Sequence, residues 1–507
     1  MAEREAGTLT PLEFLRFCWN QLTSMRTALT LLFVGALAAI PGGLLPQRPT
    51  SPLKVKAYLA ENPQVGAIYD KLGFFDAYTS PWFSAIYLLL LVSLVGCIIP
   101  RIITYAKGVR AQPVVTPRNL TRLPASTTVT AAADPLDRAE EFLRSKKFRV
   151  RRDDADGSIS AERGYLREFG NLVFHTSLVF VLLGIAIGVL FGYRGTSTVL
   201  VGSGFSNNLS QYDDIRSGAA FTDQDLPPFS VLIDDFRVLF ETGPVNTGQP
   251  TEFTAKVRVV DSPNATPRDA VIQVNRPLDV RGAEVHLLGH GYAPKVTVRD
   301  GQGNVAWSGP VIFLPQDGMF NSQGVVKAPD ARPERLAFEG WFVPTAPVDS
   351  AAPRSLFPDT YNPALYLNAW VGPPRAEDGV PENVYSLDKT GMTQLKQANG
   401  DLLRERLKPG ETWTLPEGQG SISFDGYQRW VTLQVSSTPG MPLTLGSVMI
   451  GVAGLCLSLF IRPRRLWVRV RPDGTADVAG LDRADARTGL EDDVLALADA
   501  VEDDKTD

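Results

Sequence analysis

The 507-residue chain has a formal net charge of −5 and is 44% hydrophobic, averages that suit an ordinary soluble protein and give no basic surplus for nucleic-acid binding. Its three cysteines, Cys18, Cys97 and Cys456, form no Cys-x-x-Cys pair, which argues against a disulfide-stapled scaffold, a dithiol oxidoreductase or covalent haem attachment through its own thiols. The averages conceal a segregation. Almost every long apolar run falls at 28–45, 82–103, 169–191 or 443–461, each near the roughly 20 residues that a bilayer crossing needs.

Residues 1–27 precede the first span. Thr10-Pro11-Leu12-Glu13 has capping-box spacing with Pro at the first helical position. Phe14, Leu15, Phe17, Cys18 and Leu22 then give an amphipathic helix suited to the inner membrane surface. The 28–45 span ends at Pro41-Gly42-Gly43, so a helix with a broken outer end is expected. A cleaved signal peptide is the alternative reading of ALAAIPG; the long helix-forming stretch before it argues against cleavage. The 46–81 loop has helix starts at Ser51-Pro52 and Asn62-Pro63. It closes on FFDAYTSPWF, an aromatic cluster entering the second span, 82–103. An interfacial belt explains the aromatics, Trp82 included. Asp76 reads as a helix cap or hydrogen-bonding anchor rather than a catalyst.

Residues 104–168 are basic and Pro-punctuated up to Pro124 and then read as a small α+β unit. A strand is expected at 127–131, a helix capped by Asp134-Pro135 and running to about Lys146, and a hairpin of 148–152 and 158–161 turning at Asp156-Gly157. The third span, 169–191, follows directly. The 192–442 segment is β-rich, with strand-like runs at 229–240, 251–260, 270–274, 284–288, 295–298, 305–307, 311–313, 364–370 and 422–434. Gly, Pro, Asn and Asp separate them, the pattern of a sandwich or barrel. Pro-rich stretches at 329–363 and 371–381 read as surface loops. After the fourth span, 443–461, comes a tail at 462–507, first basic and then acidic; beyond Pro472 it is expected to be loosely ordered.

Flanking charges orient the spans. Arg16 and Arg26 precede the first, Arg101, Lys107 and Arg110 follow the second, Arg163 and Arg167 precede the third, and Arg462, Arg464 and Arg465 follow the fourth. Lys/Arg-rich flanks stay in the cytoplasm. The expectation is therefore an integral protein of the cytoplasmic membrane with four transmembrane α-helices and both termini inside. The 46–81 loop and the large sandwich-like domain are then extracytoplasmic, and the α+β unit is cytoplasmic.

The chain has three histidines, and only His175 lies in an apolar span, FGNLVFHTSLVFVLLGIAIGVLF. Asn171 sits one turn before it on the same helical face. An ionisable group in such a span is costly and faces a partner, a cofactor or a polar path. Two readings stand: an interhelical hydrogen bond, or an axial ligand to haem iron. At 1.5 Å per residue His175 lies roughly 9 Å inside its span, within the inner leaflet. His286 and His290 stand four apart in AEVHLLGHGYAPKV. On a strand they are separated by roughly 13 Å, too far to share one metal ion, so they read as one histidine in a half-buried strand and one in a Gly turn.

Several stretches, in this order and topology, resemble the ResB (CcsB) family of System II cytochrome c biogenesis proteins. They are LTSMRTALTLLF leading to IPGGLLPQ, then LGFFDAYTSPWFSAIYLLLLVSLVGCIIPR, RGYLREFGNLVFHTSL and GHGYAPKV. The resemblance implies a subunit that works with a CcsA/ResC-like membrane partner to carry haem b across the membrane and present it to apocytochrome c, with thiol-reducing pathway proteins nearby. It implies that His175, matching the family's third-span histidine, ligates haem iron on the inward side. The tryptophan-rich haem-handling signature and the external haem-ligating histidines belong to that family's partner; no such signature and no second membrane histidine exist in this chain. A stand-alone, accessory subunit follows, with the second axial ligand on another chain and the ligation chemistry centred there. Asn171, Asp76 and Trp82 are then structural or interface residues. The alternative is a non-haem envelope assembly or receptor protein whose external β-domain binds a secreted polypeptide. Membrane lipid is a partner on either reading; nucleic acid is not.

Overall fold

The computed structural model describes residues 10–348, 352–374, 384–397, 400–482 and 489–503. Most of the loop expected at 371–381, and the ends of the N-terminal segment and the tail, lie outside the described residues. The chain forms two compact units, Met1–Ala186 with Gly440–Asp507, and Ile187–Pro439.

In the first unit the apolar runs form helices. α1 (Pro11–Leu22) opens on the expected capping box: Thr10 and Glu13 exchange backbone and side-chain hydrogen bonds of 3.0 and 3.3 Å. α2 (Met25–Ala38) breaks at Ala39 into α3 (Ile40–Leu44), which contains the Pro-Gly-Gly sequence. α4 (Pro52–Glu61) and α5 (Pro63–Lys71) occupy the following loop, each with proline in its first turn. α6 (Pro81–Arg110) is longer than the 82–103 span: it continues through Pro100 and ends with Lys107 and Arg110 in its last turn, where cations suit the helix dipole. Among the described residues, four helical stretches are long and apolar enough to cross a membrane: α2 with α3, α6, α8 (Leu166–Phe191) and α9 (Met441–Phe460).

The same unit holds a five-stranded sheet in the order Ala125–Thr130, Thr475–Asp482, Arg464–Val470, Ser158–Arg163, Arg149–Asp153. α7 (Pro135–Ser145) and α10 (Leu490–Val501) cover one face. Over its described residues the tail is therefore not loosely ordered. Thr475–Asp482 pairs with strands on both sides, and Val494, Leu497 and Val501 of α10 are buried against Leu143 and Ile159. Burial of those side chains is what the low overall hydrophobicity of the tail conceals. Asp134 precedes α7 as expected, but its side chain makes no capping bond.

The second unit is built on one ribbon of two 18-residue strands, Ala283–Asp300 and Gly420–Ser437, paired antiparallel. One half of the ribbon packs Val285, Val431, Leu433 and Val435 against the sheet containing Ser230–Phe240 and Pro250–Val260. The other half packs Val296, Val298, Ile422 and Phe424 against the sheet containing Arg335–Val343 and Ala364–Gly372. The β-rich body is thus two sandwiches sharing a ribbon, each core formed by alternate inward residues. Three expectations change. The runs 284–288 and 295–298 are one strand, with a bulge between Leu287 and Gly289. Residues 335–343, inside the stretch read as a loop, form a central strand. Residues 311–313 form no strand, only a bridge from Phe313 to Tyr292.

Candidate functional site

α8 carries two stripes with different work. Gly170, Ser177 and Gly184 recur every seven residues and are buried. A Cβ at Gly170 would meet the Gly454 carbonyl at 2.5 Å, and one at Gly184 would meet Thr444 Oγ1 at 2.4 Å, so α8 and α9 approach backbone to backbone. Without water to drive apolar association, such close approach supplies the dispersion contact that holds membrane helices together. Asn171, His175, Leu178 and Leu182 form the other stripe, at the i, i+4, i+7, i+11 spacing of one helical face.

This second stripe lines a cavity of about 910 Å³, whose other walls come from α2 (Leu29, Leu32) and α6 (Leu94, Cys97, Arg101). The cavity is at the upper end of the roughly 300–1,000 Å³ range of ligand pockets. The corner between α1 and α2 is fastened to α6 at one side of it. Ser93 Oγ donates to the Leu22 carbonyl at 2.6 Å, Cys97 Sγ donates to the Thr23 carbonyl at 2.8 Å, and Gly96 leaves the space that Thr23 fills. Tyr87 donates to the Leu182 carbonyl, tying α6 to α8. Pro100, at the cavity wall, removes the N–H that would bond the Gly96 carbonyl one turn back.

His175 is held by its own helix. Its Nδ1 lies 2.8 Å from the Asn171 carbonyl, and a carbonyl can only accept, so Nδ1 carries the proton. In the uncharged ring this leaves the Nε2 lone pair free, and Nε2 has no hydrogen bond among the described residues. The ring is also braced edge-on by Phe174, centroids 5.2 Å apart. A proton fixed on one nitrogen, in a ring that lines an open cavity, is the arrangement that orients imidazole for a metal ion. Among the described residues no group of three or more His, Cys, Asp or Glu side chains could hold a metal.

Arg101 was legible in the sequence only as a flanking charge. α6 carries it past Pro100 to the cavity rim, where its Nη2 lies 3.5 Å from Met25 Sδ. It makes no ion pair among the described residues, unlike Arg48 or Arg465. A second, smaller cavity of about 440 Å³, lined by Thr104, Tyr105, Tyr165 and Glu168, shares Pro100, Arg101, Asn171 and Leu172 with the first. A Pro-Arg pair inside a 30-residue helix was the available signal.

The other sequence candidates lie elsewhere. Asp76 and Asp70 both pair with Arg48, and these hydrogen bonds hold the Arg48 guanidinium above its ordinary pKa. Gln47 completes this anchor, accepting from Ala77 N at 3.1 Å and donating to the Phe74 carbonyl at 2.9 Å. Trp82 Nε1 donates to the Leu72 carbonyl at 2.9 Å. His286 is partly exposed beside Glu284, 3.1 Å away. His290 is not in a turn: it sits within the ribbon strand, 7% exposed, stacked on Phe320 at 4.6 Å and close to Phe236 and Phe253. Leu288 is the unpaired residue of the bulge, Gly289 next to it pairs with Thr432, and Gly291 admits the Trp430 ring, which a Cβ would meet at 2.3 Å.

Comparison with known proteins bears on the whole chain. Residues 25–494 match the ResB-like family. The chain is 25% identical over 456 residues to the cytochrome c biogenesis protein CcsB of Thermosynechococcus vestitus, covering 88% of this chain and 87% of the relative. It is 24% identical over 495 residues to the protein of the same name from Gloeobacter violaceus, covering 95% and 90%. A shorter match, 27% over 194 residues, covers 37% of this chain and 35% of the cytochrome c biogenesis protein ResB of Bacillus subtilis.

Proposed function

The chain belongs to the ResB-like family, and on that premise we propose that it receives haem in the α2–α6–α8 cavity with His175 Nε2 as an axial ligand to the iron. Its role is that of a membrane subunit in System II cytochrome c biogenesis, as the names of its full-length relatives support. The observation that carries the haem reading is the pairing of a proton-fixed imidazole with a cavity large enough for a macrocycle. Apolar walls from Leu29, Leu32, Leu94 and Leu178 suit the flat body of the ligand and exclude water from the iron.

One imidazole makes half of a bis-ligated site, so a CcsA/ResC-like subunit supplies the opposite ligand and takes the haem onward to apocytochrome c. In this reading the Lys/Arg-rich ends of the four spans face the cytoplasm. The α/β unit with its basic strands then lies inside, the two-sandwich body outside, and His175 in the inner leaflet.

The test is His175→Ala in the full chain purified with its membrane partner. Haem per complex should fall severalfold and maturation of a reporter cytochrome c should be lost, at unchanged protein level. A variant that keeps full haem and full maturation would show that His175 is only a packing residue.

A further inference from the structure

Arg101 is a cation at the boundary of an apolar cavity with no carboxylate to answer it among the described residues. Among the described residues its one side-chain hydrogen-bonding contact is the sulfur of Met25, 3.5 Å from Nη2 and too weak an acceptor to offset a guanidinium charge. A lone, exposed charge beside apolar walls is retained where an anion, a headgroup or water meets it. Asn171 lines both cavities with Arg101 and stands about one turn from His175 on α8, roughly 6 Å along the axis. Arg101 is therefore offset from the imidazole toward the Leu166 end of α8, as the rim of a macrocycle is offset from its centre. Glu168 lines the smaller cavity beyond. Its carboxylate disfavours a second anion there, so an acidic group on a ligand is retained at Arg101.

We propose that Arg101 is the carboxylate-recognition residue of this cavity, pairing with an acidic side group on the rim of the tetrapyrrole whose centre faces His175. This rests on the haem reading above and adds a residue and a polarity to it. The ligand lies with its acidic edge at Arg101, short of the smaller cavity, and its apolar edge toward Leu178 and Leu182. A guanidinium matches a carboxylate with two parallel N–H donors, which a lysine cannot reproduce.

The experiment measures affinity of the full chain in lipid nanodiscs for three probes: ferric haem, metal-free protoporphyrin and its dimethyl ester. Arg101→Gln should weaken haem and metal-free protoporphyrin by roughly 10- to 100-fold, the size of a lost charge-assisted hydrogen bond, and leave the ester unaffected. His175→Ala should weaken haem but not the metal-free probe, because only haem offers iron. The wild-type chain alone should prefer acid to ester by a similar factor, which keeps the test valid if Arg101→Gln fails to fold. Equal affinity for acid and ester, with haem binding still dependent on His175, would overturn the role of Arg101 and leave the haem reading standing. That result would mark Arg101 as a side chain reaching for phospholipid headgroups. Failure of the wild type to bind any of the three probes would overturn both.

Discussion

His175 and His290 each have a ring nitrogen without a hydrogen bond among the described residues, yet the space around the two rings differs. At His175 the second nitrogen is satisfied by the helix itself, and the ring borders about 910 Å³ of open cavity. At His290 the orphan Nδ1 is buried, Phe236, Phe253 and Phe320 crowd the ring, and the adjoining cavity is about 260 Å³. Burial, with help from the Arg429 charge and against the pull of Asp359, lowers its pKa to about 3. His290 is thus a neutral aromatic plug where the two sandwiches meet on the ribbon. A histidine becomes a ligand candidate when its tautomer is fixed and room is left for a metal, not simply when it is buried.

The largest effect is expected from Gly170→Leu. The new side chain has no room against Gly454 and Leu457, and prying α8 from α9 should cost more than about 3 kcal/mol. Haem retention should collapse while the His290 site is untouched; retained haem would show that the cavity does not depend on the α8–α9 seam. His290→Ala should do the reverse. It should remove about 2 kcal/mol of stability through the hole left among the phenylalanines, measured by denaturant unfolding, with haem per complex unchanged.

A pH series separates the sites further. The unfolded chain protonates this histidine near 6.5 whereas the folded ring resists until about 3. The unfolded state therefore binds more protons in that window, and stability should fall as pH drops below 6.5, by about 1.4 kcal/mol per pH unit. His290→Phe should remove that component of the slope; an unchanged slope would show that His290 titrates normally. The smallest effect is a null: fragment 187–439 has no cysteine, so reductant should not shift its unfolding midpoint.

What the sequence could reveal followed from how locally each feature is determined. The apolar spans, the Thr10 capping box and the hairpin at Asp156-Gly157 are set by neighbours within a few residues, and His175 was conspicuous because its surroundings are apolar. Thr475–Asp482 was hidden because its strand character comes from pairing with Arg464–Val470 and Ala125–Thr130, the latter about 350 residues earlier. Gly289, Gly291 and Pro294 looked like breakers, but a bulge and the Trp430 ring absorb the first two inside one long strand. Arg101 looked like a topology signal because only the continuation of α6 through Pro100 brings it to the cavity.

The most direct test of the central claim is chemical rescue of His175→Gly in the complex with its membrane partner, followed by the optical spectrum of bound haem. If Nε2 of His175 ligates the iron, the variant should lose the wild-type Soret position and intensity. Millimolar imidazole should restore both, because a free ring can occupy the vacated space and supply the missing nitrogen. A spectrum identical to wild type without imidazole would contradict the assignment.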